Sequence, residues 1–134
     1  MDQVKIGIIG VGNMGSAHVV SIGQLANAKL TALCDINPEK LKRYDPEKIQ
    51  LFTDTKTFFK KADVDAVIVA TPHYFHVPLA IEALKNKKHV ITEKPISVHK
   101  ALAEELVKAA KKYPKLKLAA MFNQRTLPAH KKIK

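Results

Sequence analysis

The sequence predicts an α/β fold, a doubly wound parallel sheet in the strand order 3-2-1-4-5-6 with helices on both faces. Three observations lead there. Short runs rich in Val and Ile alternate with stretches of helical spacing, as strands buried on both faces require. The first run ends at Ile9 and leads straight into Gly10-Val11-Gly12-Asn13-Met14-Gly15, a turn that opens a helix. An acid, Asp35, closes the second run twenty positions after Gly15.

The elements follow in order. Strands are expected at about Lys5 to Ile9, Lys29 to Cys34, Ile49 to Phe52, Ala66 to Ala70, His89 to Thr92 and Lys117 to Met121. Helices are expected near Asn13 to Gln24, Pro38 to Arg43, Lys56 to Lys61, Val77 to Leu84 and Val98 to Lys111. Asn37 can cap the second, with Pro38 at a first helical position where no hydrogen bond is lost. Asp54 and Ser97 can cap in the same way. In the last helix Leu102, Leu106, Ala109 and Ala110 recur at three- and four-residue intervals, while Lys100, Glu104, Lys108 and Lys112 face water.

A chain of 134 residues suits a single domain, which can bury about two-thirds of its unfolded surface. Its 46% hydrophobic and 26% charged residues, with a mean hydropathy of −0.12, are ordinary for a folded domain. No apolar run reaches the roughly 18 residues of a membrane span, and no signal-type start is present. A cytoplasmic protein without membrane attachment is expected. Cys34 is the only cysteine and lies in an apolar run, so it reads as core.

The formal charge of +11 raises nucleic acid as a partner. The lysines, however, fall in short clusters around Lys60, Lys87, Lys112 and Lys132 with no interleaved aromatics to stack bases, which describes a solvated face.

In a doubly wound sheet, ligands bind at the carboxyl ends of the strands where the strand order reverses. Gly10 permits a tight turn, Gly12 lets the backbone approach a pyrophosphate, and Gly15 lets the helix press on the sheet. The phosphates would meet the positive helix end near Asn13. Met14 belongs to the same turn, although packing behind the glycines is its plainer expectation. Asp35 can accept from an adenosine ribose and would repel a 2′-phosphate, so NAD is favoured over NADP. Lys40, Lys42 and Arg43 lie just downstream and could in principle hold a phosphate. His73 and His76 lack the carboxylate or cysteine that would complete a metal site.

With Ile8-Ile9-Gly10-Val11-Gly12, Cys34-Asp35, Ala70-Thr71-Pro72, His76, Lys88-His89-Val90, Glu93-Lys94-Pro95 and Asn123-Gln124-Arg125, the chain resembles the Gfo/Idh/MocA oxidoreductases. The family commonly has glycine at position 87 as a left-handed helix stop. Lys87 stands there instead, and Asn86 is the expected substitute.

The resemblance implies an NAD-binding Rossmann domain of a dehydrogenase acting on a sugar or polyol hydroxyl. It implies that Thr71 and Pro72 line the cofactor cleft, with His76 close by. Glu93, Lys94 and Pro95 would reach the nicotinamide side, Lys94 assisting proton transfer from the substrate hydroxyl, and Asn123 and Gln124 would close the cleft. The expected division is a dinucleotide-binding domain over 1–122, with 123–134 starting the connection to an α/β substrate domain. The chain alone is expected to bind NAD without turnover. The competing expectation is a nucleotide-sensing or docking module, self-associating or bound to another protein through exposed Phe122, Leu127 and Ile133.

Overall fold

In the computed structural model, which describes residues 3–128 and residue 132, a 6-stranded parallel sheet has the order β3-β2-β1-β4-β5-β6. Its strands are β1 (Val4–Ile9), β2 (Ala28–Cys34), β3 (Gln50–Phe52), β4 (Ala66–Val69), β5 (His89–Thr92) and β6 (Leu118–Ala120). The helices are α1 (Asn13–Gly23), α2 (Thr55–Lys61), α3 (His76–Lys85) and α4 (Lys100–Lys111). The chain turns back between β1 and β4, so a crevice opens at their carboxyl ends.

Alternation along the strands sorts side chains into two cores. Ile8, Leu33 and Ile68 face Val11, Ile22 and Leu41 on the α1 side. Their neighbours Ile9, Cys34 and Val67 join Phe58, Ala80, Leu84 and Leu106 on the side of α2, α3 and α4. Both faces of the central strands are therefore dry, which explains their unbroken apolar runs. Phe58 is fully buried and meets Phe52 and Phe59 edge-on, with ring centroids 5.6 and 5.4 Å apart. Phe58→Ala is expected to cost about 3–5 kcal/mol in urea unfolding.

Capping follows the expectation at two helix starts. The Asn37 side chain accepts from the Glu39 amide at 3.0 Å. Asp54 accepts from the Thr57 amide at 2.7 Å, and that bond holds its carboxyl below the usual range. Along α4, Leu106 is buried with Leu102, Ala109 and Ala110 packed beside it, as the spacing predicts.

Three local expectations are corrected. The stretch from Pro38 to Arg43 forms only a 3-10 turn over Pro38–Lys40, because Leu41 alone is buried there and so short a segment cannot repay helix nucleation. Ser97 does not cap α4. The helix starts at Lys100 after His99, while the Ser97 hydroxyl closes a local turn with the His99 backbone. Finally, Lys87 rather than Asn86 takes the left-handed conformation, with φ 59°. There the Lys87 amide donates to Leu84 O at 2.9 Å and the Lys88 amide to Ala83 O at 3.0 Å, the paired bonds of a Schellman stop.

Candidate dinucleotide-binding site

Gly10 leaves β1 with φ 92°, and a Cβ there would lie 2.7 Å from the Ala70 backbone, so neither its conformation nor its surroundings admit a side chain. A Cβ on Gly15 would overlap the Gly10 carbonyl oxygen, which shows how tightly α1 is drawn against the turn. By contrast, a Cβ on Gly12 would meet nothing within 4 Å. Space therefore opens above the first turn of α1, which has neither a side-chain cap nor an acidic residue. Unbonded amides and the positive end of the helix dipole make that space suitable for an anion.

Asp35 is 6% exposed and braces this turn. Its Oδ2 accepts from the Val11 amide at 2.8 Å, and its Oδ1 from the Asn37 amide at 2.9 Å. Lys40 Nζ approaches Oδ2 at 3.5 Å. Each carboxylate oxygen retains acceptor capacity, so a ribose hydroxyl can still be served. Beside it lies a cleft of about 280 Å³ lined by Val11, Gly12, Asn13, Ser16, Glu39, Lys40 and Arg43. Arg43 donates to the Ser16 hydroxyl, and its guanidinium lies 5.1 Å from the Tyr44 ring centre.

A second cleft, of about 170 Å³, opens beyond the carboxyl ends of β4 and β5. Met14, Ala70, Thr71, Pro72, His73, His76, Glu93 and Lys94 line it. Thr71 lines this cleft, and its Oγ1 is buried without a hydrogen-bond partner. The Lys94 side chain is exposed, and the Lys94–Pro95 peptide bond is cis. Glu93 is only 5% exposed, and its Oε1 lies 2.6 Å from His18 Nε2.

His76 is 1% exposed and spans the two loops of this cleft. Its Nδ1 lies 2.7 Å from Pro95 O and its Nε2 2.8 Å from Thr71 O. Carbonyl oxygens only accept, so one is served by a neutral ring and both by the doubly protonated one.

The structure thus brings together Met14, Thr71, Pro72, His76, Glu93 and Lys94 in one cleft and Gly12 and Asn13 in the other. Gly10 and Gly15 shape the turn, Asp35 braces it, and Pro95 contributes its carbonyl to His76. Asn123 and Gln124 are exposed in a 3-10 turn after β6 and line neither cleft. Met14 does not pack behind the glycines. It is 43% exposed in the cleft wall, because the first turn of α1 presents it to the opening.

His18, Ser16 and Glu39 are additions that sequence reading missed. The only signal for His18 was its spacing, one helical turn after Met14. Phe122 and Leu127 are exposed as expected, at 46% and 49%, while Ile133 lies outside the described residues. Cys34 is core, and burial, with smaller effects of Asp54 and Asp35, pushes its thiol up to about 12. Among the described residues no helix is long and apolar enough to cross a membrane.

A family model described as oxidoreductases with an NAD-binding Rossmann fold, Gfo/Idh/MocA, matches residues 4–121. An uncharacterised oxidoreductase of Bacillus subtilis is 34% identical across 98% of this chain, which covers 39% of that protein. A myo-inositol 2-dehydrogenase of Thermotoga maritima is 31% identical across 98% of the chain, covering 40% of its own length. Among solved structures, the scyllo-inositol dehydrogenase of Lactobacillus casei with bound NAD(H) and scyllo-inositol superposes with a TM-score of 0.92 at 29% identity, over 98% of this chain and 40% of that one. The chain therefore spans about two-fifths of the length of these relatives. Motif, sheet order and similarity agree, and the chain belongs to the Gfo/Idh/MocA oxidoreductase family, of which it carries the NAD-binding Rossmann domain.

Proposed function

We propose that this domain holds NAD for hydride exchange with a hydroxyl-bearing carbon of a sugar or polyol. The reading rests on one convergence: the uncapped start of α1, the buried Asp35 carboxylate and the cleft bearing Thr71, Glu93 and Lys94 all lie at the carboxyl ends of neighbouring strands. Amides following Gly12 would face the pyrophosphate, and Asp35 the adenosine ribose. Thr71 Oγ1 would find its missing partner on the nicotinamide side, near Pro72, His76 and Pro95. Bound NAD supplies the hydride acceptor. Lys94, at the mouth of that cleft, would hydrogen-bond the substrate hydroxyl and take up its proton. Asn123 and Gln124 would close over the site from beyond β6.

Asp35 favours NAD, since a 2′-phosphate beside its carboxylate would be repelled. Lys40 and Arg43 border the same cleft and temper that preference. Lys94 is exposed, and nothing among the described residues fixes a substrate carbon against the ring. The 134 residues alone are therefore expected to bind NAD without reducing it in the presence of inositols or sugars. Calorimetric titration with NAD and NADP tests the reading, and an absence of heat with both rejects it.

A second reading, a sensing or docking module, draws on Tyr74, Phe75, Phe122 and Leu127, which are 46–65% exposed. Sedimentation with and without NAD discriminates, because an unchanged monomer argues against docking through self-association.

A further inference from the structure

Ile91 of β5 faces the α1 side of the sheet, and Glu93, two positions on and just past the strand's end, follows the same alternation while its amide still bonds Val69 O at 2.9 Å. There Glu93 meets His18, which is 12% exposed at its side chain and lies one turn along α1 from Met14. A carboxylate only accepts, so His18 Nε2 carries the hydrogen of the 2.6 Å contact with Oε1. Glu93 Oε2 accepts the Lys94 amide at 3.2 Å. The buried carboxylate thus joins α1 to the loop that carries Lys94. Without His18 it would lose its one side-chain donor among the described contacts and would turn toward water.

We propose that His18 is a positioning residue for the nicotinamide half of the site. It holds the Glu93 carboxylate in the cleft wall, where its negative charge faces the cationic ring of oxidised NAD, and through Glu93 it steadies the Lys94 backbone. The inference rests on the dinucleotide reading above. ADP-ribose separates the two, because it shares every group of NAD except the nicotinamide.

The experiment titrates the whole chain with NAD and with ADP-ribose. Wild type binds both. His18→Ala is expected to bind NAD about tenfold more weakly and ADP-ribose within about twofold of wild type, as loss of one hydrogen bond to a charged group implies. His18→Gln, which retains a donor of similar reach, is expected to restore most of the loss. Equal weakening of both ligands assigns His18 a merely structural role and overturns the proposal, as does unchanged NAD affinity. Should His18→Ala not fold, Glu93→Gln decides by the same ratio: a loss confined to NAD supports the proposal and an equal loss overturns it. A wild-type chain that binds ADP-ribose but not NAD overturns the positioning role alone. One that binds neither overturns the dinucleotide reading with it.

Discussion

Replacing Asp35 tests anchoring and ligand binding at once, and the structure separates the two. In Asp35→Ala the Val11 and Asn37 amides lose their acceptors. Asn37 is exposed and can turn to water, but Val11 is 1% exposed and its donor is stranded. One stranded buried donor costs about 1–3 kcal/mol, so the urea midpoint should fall even without nucleotide. Asp35→Asn retains one carbonyl oxygen for Val11 and should lose only about 1 kcal/mol. The charge is gone in either variant. If the carboxylate holds the adenosine ribose, losing charge-assisted bonds worth about 1.5–3 kcal/mol weakens NAD about ten- to a hundredfold. NADP should weaken less, because a repulsion disappears with the attraction. Calorimetry of Asp35→Asn with both nucleotides, beside urea unfolding of both variants, reads each effect. Wild-type NAD affinity in Asp35→Asn refutes the ribose contact, and an unshifted midpoint in Asp35→Ala refutes the anchor.

Other substitutions follow the same reasoning. His76→Leu removes the donor that a neutral ring gives to one of Thr71 O and Pro95 O and should cost about 1–3 kcal/mol, seen as a lower thermal midpoint; an unchanged midpoint sinks the bridging role. Lys87→Gly relieves a left-handed lysine worth about 1–2 kcal/mol and adds about 0.4–1 kcal/mol of unfolded-chain entropy, so a gain of about 0.5–1 kcal/mol is expected by chemical denaturation. Cys34 has its native pKa raised from 9.0 to about 12, so the unfolded chain releases its proton first as the solution becomes alkaline. The thiol's share of stability is complete below pH 9.0 and is lost as pH rises toward about 12. Cys34→Ala should flatten that decline in denaturation curves taken across the window, and an equally steep decline refutes it.

Much of the fold was legible because its signals are local. Short Val- and Ile-rich runs specify strands dry on both faces, and Asp54 or Asn37 ahead of a turn specifies where it starts. The weaker expectations failed where local preference was nearly balanced. Asn86 and Lys87 compete for one left-handed position, and the pair of bonds back to Ala83 and Leu84 decided for Lys87. Ser97 had two ways to use its hydroxyl, and the turn with His99 prevailed.

By itself, the sequence determined the strand and helix order, the glycine turn and the acid closing β2, since each depends on residues adjacent along the chain and on backbone sterics. Only the tertiary structure decided that Asp35 braces Val11, that His76 bridges two loops, and that His18 meets Glu93 across 75 positions. Those partners are chosen by crossovers that bring the ends of β1, β2, β4 and β5 together. A side chain's hydrogen-bond partner is set by distance in space, which one-dimensional spacing does not encode.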